Sequence, residues 1–91
     1  MTDKEWQERY TITSRKGKIW TRSEVRKRAV DMAHGLLLGA QPRAVIRTAI
    51  ELVLDDEKFM QPRSGMVPAR VIEDAAFAAF VKLSPKSEAK P

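Results

Sequence analysis

Residues 42–57 read PRAVIRTAIELVLDDE. At about 100° per residue, Val45, Ile46, Ala49, Ile50, Leu52 and Val53 share one broad arc, while Arg43, Arg47, Thr48, Glu51 and Asp55 share the opposite one. The spacing predicts an amphipathic helix over 42–57 with a wide apolar face. Pro42 suits the first helical position, where its missing N–H costs nothing. Asp55, Asp56 and Glu57 come where the helix dipole disfavours anions, so they mark solvent exposure near the helix end. A face this apolar requires cover from its neighbours.

Upstream, Thr21 or Ser23 is placed to cap a helix over about 24–38, with Val25, Ala29, Val30, Met32, Ala33, Leu36 and Leu37 on its apolar arc. Gly39 is its expected stop, and the short link through Ala40 and Gln41 makes this helix a close neighbour of the next. Before it, two β-prone runs flank Gly17, a hairpin signal whose register sets Ile12 opposite Trp20. Gln61 to Pro68 reads as a loop. A last helix is expected over about 68–83, with Val71, Ile72, Ala75, Ala79, Phe80 and Leu83 as its buried stripe. Phe77 and Val81 lie nearly opposite that stripe, so this helix has two apolar sides.

The expected fold is therefore mainly α: a short N-terminal β-ribbon or hairpin followed by three helices. Residues 1–9 are expected as a flexible arm, 10–83 as a single small helical domain, and 84–91 as a disordered tail. At 91 residues one core is only marginally sufficient, which makes a homodimer or a partner-bound form an expectation. The candidate interface residues are Val45, Ile46, Ile50, Val53, Phe77, Phe80 and Val81. The alternative is that the N-terminal segment, Trp6 included, folds back over Phe77 and Val81.

Composition narrows the chemistry. With no cysteine there is no disulfide, thiolate metal site or thiol nucleophile. The one histidine, His34, stands on a polar helix face, and no catalytic or phosphate-cradling motif is present. The expectation is no enzyme, no cofactor, no metal and no small-molecule substrate. The sequence has neither a secretory apolar region nor a run long enough to span a bilayer, which reads as a cytoplasmic chain without a membrane partner.

Charge is the strongest functional signal. From Ser14 to Arg28 there are seven basic residues against one acid, Glu24, in a chain of net charge +5. That block favours a polyanion, either duplex DNA or an acidic protein partner. The candidate nucleic-acid-binding residues are Arg15, Lys16, Lys18, Arg22, Arg26, Lys27 and Arg43, the last beside the free N–H groups of a helix start that begins at Pro42. Trp20 is expected in the core, with stacking on a base as the alternative.

The order of a basic strand, a capped helix, a glycine turn and PRAVIRTAIELVL resembles the ribbon-helix-helix family of small DNA-binding repressors. Ile46-Arg47-Thr48-Ala49-Ile50-Glu51-Leu52 is similar to the S-x-x-I-R-x-A-I-x-x-L of that family's second helix, and the resemblance covers residues 14–57. It implies an intertwined dimer whose strands enter the major groove, with Lys16, Lys18 and Trp20 turned to bases and the central helix start on a phosphate. The leading functional expectation is a dimeric DNA-binding regulator of transcription. The second is a protein–protein antagonist, such as an anti-activator or phage-type inhibitor, acting through apolar helix faces.

Overall fold

The helix at the centre of the chain spans Arg43–Leu54 and buries Ile46, Ala49, Ile50, Val53 and Leu54. The computed structural model describes residues 2–36, 41–60 and 68–83. In order the elements are α1 (Asp3–Arg9), β1 (Ile12–Thr13), β2 (Ile19–Trp20), α2 (Arg22–His34), α3 (Arg43–Leu54) and α4 (Pro68–Lys82). Among the described residues the chain is mainly helical, with a small antiparallel hairpin near its start and four helices rather than three. Helices α2, α3 and α4 pack mutually, and α1 closes one end of them.

The added helix is α1. Thr2 and Glu5 form a capping box, each side chain bonding the other's backbone N–H, at 3.1 and 2.9 Å. The expected flexible arm is corrected accordingly: residues 3–9 are helical because they are capped and because Trp6 is anchored. Its side chain is fully buried, and its indole N–H donates to the Leu54 carbonyl at 3.1 Å. Tyr10 stacks obliquely on Trp6, ring centres 5.5 Å apart.

The hairpin has the expected register, Ile12 opposite Trp20 and Thr13 opposite Ile19. Gly17 sits at φ +87°, the left-handed region that L side chains avoid, and so permits the turn. Thr21 then caps α2 in a second capping box with Glu24. That cap starts the helix at Arg22, two residues before the expected start. Its end is also earlier than expected: after His34 the bonds tighten to three-residue spacing, from the Gly35 N–H to the Met32 carbonyl and from the Leu36 N–H to the Ala33 carbonyl, both at 3.1 Å. Leu37 and Gly39 lie outside the described residues.

Helix α3 is shorter than 42–57. Pro42 stands at its N-cap with extended backbone, not inside the first turn. At the other end Asp55 closes it, and its carboxylate accepts from Arg22 at 3.0 Å. The buried arc is rotated from the expected one: Leu54 is fully buried, whereas Val45 and Leu52 are 39% and 59% exposed. The cause is the placement of the neighbours, since α2 and α4 cover the Ile46–Ile50–Val53–Leu54 side. The three interface candidates Ile46, Ile50 and Val53 are thus spent inside this chain's own core.

Helix α4 follows its expected bounds closely, and Val71, Ile72, Ala75, Ala76 and Ala79 form its buried stripe. Of the expected loop from Gln61 to Pro68, residues 61–67 lie outside the described residues, as does the expected disordered tail, and Pro68 is the first residue of α4. No described helix is long and apolar enough to cross a membrane.

Candidate functional site

Helices α2 and α3 lie against each other joined by ion pairs: Arg22 to Asp55 at 3.0 Å, Arg26 to Glu51 at 2.8 Å, and Arg43 to Asp31. This arrangement takes apart the basic block that looks uniform in sequence. Arg22 is the one buried charged residue among those described, and it reaches Asp3 on α1 as well as Glu51 and Asp55 on α3. Among the expected nucleic-acid contacts, Arg22 is therefore corrected to a structural residue. It follows the Thr21 cap directly and falls on the same stripe as Val25, Ala29 and Ala33, which turns it inward.

The other candidates stay near the surface and fall into two groups. Arg15 and Lys16 occupy the exposed hairpin turn, with the Ser14 hydroxyl accepting from the N–H of Lys16 and of Lys18 at 3.2 and 3.0 Å. Lys18 pairs with Glu24 at 3.2 Å and lies 5.2 Å from the centre of the Trp20 ring, a cation–π contact. Trp20 itself is half-buried and packs on the core, its indole face taken by Lys18.

Arg26, Lys27 and Arg43 meet in an open groove between α2 and α3, about 730 Å³ in volume, where Arg47 joins them. Glu24, with Lys18 at its side, forms one rim. Ser23 and Thr48 add hydroxyls to the lining. Arg26 is held by Glu51 and by the Ser23 hydroxyl at 2.9 Å, and Arg43 by Asp31. Arg47 stands 3.9 Å from Glu51, and Lys27 forms no salt bridge among the described residues. The paired guanidiniums are fixed in place, while Lys27 and Arg47 remain the adaptable cations.

The electrostatics of the rim follow. The Asp31 carboxyl is held below its ordinary value chiefly by the hydrogen bond from Arg43, with Lys27 and Arg28 adding to the effect. Glu24 is lowered by the Thr21 backbone N–H first and by Lys18 second. Both stay ionised at neutral pH and keep their cations oriented. No side-chain oxygen caps α3, whose first turn opens beside Arg43 and Ala44 on the groove wall. Chemically the groove suits a spread anion bearing several oxygens, because its cations come from two helices and the Ser23 hydroxyl, which accepts from Arg26, keeps its own proton to donate, whereas that of Thr48 is bonded to the Ala44 carbonyl at 3.0 Å.

A second surface lies across α2. Phe77 and Val81 are 64% and 61% exposed, on the side of α4 turned away from the core. Trp6 does not cover them: it packs at the end of α3 instead. Of the expected interface residues, Val45, Phe77 and Val81 are exposed and Phe80 is half-buried. Sequence reasoning passed over Met32 and Leu36 as surface groups, although both are exposed next to α4. No protein-family model matches the chain, and comparison with curated proteins and with solved structures finds no match.

Proposed function

We propose that this chain is a small DNA-binding regulator of transcription that grips the phosphate backbone of duplex DNA with its hairpin turn and its α2–α3 groove. The observation that carries the proposal is the convergence of Arg26, Lys27, Arg43 and Arg47 from two helices on one groove. Arg15 and Lys16 extend the same cationic surface through the turn. Because β2 is already paired with β1 of its own chain, the contacts are assigned to phosphates, which position a protein on DNA, rather than to base edges. The resemblance of residues 14–57 to ribbon-helix-helix repressors supports the regulatory part of the reading.

The direct test is fluorescence anisotropy with a labelled generic duplex at low salt. The double variant Lys27→Glu, Arg47→Glu should lose affinity roughly tenfold or more, since it reverses two phosphate-facing charges. Circular dichroism should stay unchanged, because both side chains are exposed. Equal affinity of the two proteins, or no binding by the parent, overturns the reading.

A specific observation favours a second reading, a protein–protein antagonist. Phe77 and Val81 stand bare on the outer side of α4, with the exposed Met32 and Leu36 of α2 beside Phe77, and exposed large apolar side chains in a contiguous patch mark interaction surfaces.

A further inference from the structure

Between the C-terminal end of α2 and the outer side of α4 runs a groove of about 480 Å³ lined by Met32, Leu36, Ala76, Phe77 and Phe80, with Glu73 as the single charged lining residue among the described residues. Ala76, almost fully buried, lies between Met32 and Leu36 on one helix and the two phenylalanines on the other. Phe77 and Phe80 stand with ring centres 6.4 Å apart at an angle of 45°, a tilted wall rather than a flat one. We propose that this groove docks an amphipathic helical segment of a partner protein, one that carries apolar anchors and a flanking lysine or arginine. The proposal rests on the protein-binding reading and assigns the partner's chemistry.

Two arguments select that occupant. The first is charge. The protein is net basic, yet this groove presents Glu73 on one wall, and α2 ends beside it at His34, where the helix dipole adds partial negative charge. A partner cation beside an apolar anchor meets both. The second is form. The exposed lining residues Met32, Leu36 and Phe77 come from two helices and leave a trough between them, the form into which an amphipathic helix lays anchors at i, i+3 and i+4.

The test uses two labelled amphipathic peptides with the same leucine face, one with lysine and one with glutamate on its polar face, titrated into the full chain. Binding of the lysine peptide is expected to be the tighter, against the sign of the protein's overall charge. Phe77→Ser should weaken it at least roughly tenfold, as loss of a central anchor does. Glu73→Lys should weaken it about fivefold and strengthen the glutamate peptide. Both positions are exposed, so both variants should fold like the parent. Tighter binding of the glutamate peptide, lost in Phe77→Ser, would overturn the assigned chemistry while leaving the protein-binding reading intact. Binding of neither peptide, or indifference to Phe77→Ser, would overturn both. Concentration-dependent dimerisation abolished by Phe77→Ser would make a second copy the occupant and overturn the proposal.

Discussion

The Trp6 indole N–H donates to the carbonyl of Leu54 at 3.1 Å, joining residues 48 apart in the chain. Leu54 is the last residue of α3, where helical carbonyls lack an internal donor. One bond thus satisfies a buried ring nitrogen and a helix-end acceptor together. It also fixes α1 against the core, along with the Gln7 amide, which donates to the Trp20 carbonyl at 3.2 Å.

Trp6→Ala should therefore destabilise the domain by about 3–5 kcal/mol, the usual cost of emptying a large buried aromatic site. Trp6→Phe should cost less, because the ring packing partly survives while the carbonyl loses its donor. Urea unfolding monitored by circular dichroism gives both values. A change below about 1 kcal/mol for Trp6→Ala would mean that α1 is not docked.

Arg22 holds Asp3, Glu51 and Asp55 around one guanidinium. Arg22→Ala should cost about 2 kcal/mol, since hydrogen bonds to a charged group are lost and three acids are left close together. Arg22→Lys should recover only part of this, because an ammonium lacks the planar fork that reaches α1 and α3 at once. Thermal unfolding of the two variants is the check, with Arg26→Ala, half-buried at the surface, as the milder comparison.

The Tyr10 hydroxyl is buried and has no hydrogen-bond partner among the described residues. Tyr10→Phe should leave stability unchanged or raise it by up to about 1 kcal/mol, because it removes an unsatisfied polar atom and keeps the ring beside Trp6. The urea midpoint reads this directly. A clear loss of stability would show that the hydroxyl is satisfied in solution.

Much of this architecture was legible from local rules. The hairpin register follows from a glycine between two β-prone runs, and Thr21, three residues before Glu24, marked the start of α2 more closely than the expected start at 24. The same signal, Thr2 followed by Glu5, marked α1 and could have shown that the N-terminal segment is helical. Other features depended on distant partners. Val45 and Leu52 share an apolar arc with Ile46 and Ile50, but only the positions of α2 and α4 decide which edge of that arc is covered. Arg22 carries the same charge as Arg26 and Lys27, and its burial is decided by acids at positions 3, 51 and 55. The α2–α3 groove was half visible: Arg26, Lys27 and Arg43 were in the basic reading, whereas Arg47 joins them only when α3 is laid beside α2.

Acid should weaken both capping boxes and the Arg43–Asp31 pair. Glu5 and Glu24 have pKa values lowered from 4.5, and Asp31 from 3.8. A carboxyl whose pKa falls on folding adds stability above its unfolded value and loses it as pH drops through the folded value. These groups should therefore contribute a constant amount from neutral pH down to about 5 and lose it below about 4. Melting temperature against pH checks this, and Glu24→Gln should flatten the acid limb relative to the parent.

The central claim, that cations from two helices and a hairpin turn form one phosphate-binding surface, is tested most directly by the salt dependence of duplex binding. Counterion release predicts that the logarithm of the association constant falls linearly with the logarithm of salt concentration, by about 0.9 per phosphate contacted. With Arg15, Lys16, Lys27 and Arg47 engaged, the slope should be about −3 to −4, and it should shrink by about 2 in Lys27→Glu, Arg47→Glu. A slope near zero, or one that the double variant leaves unchanged, would contradict the claim.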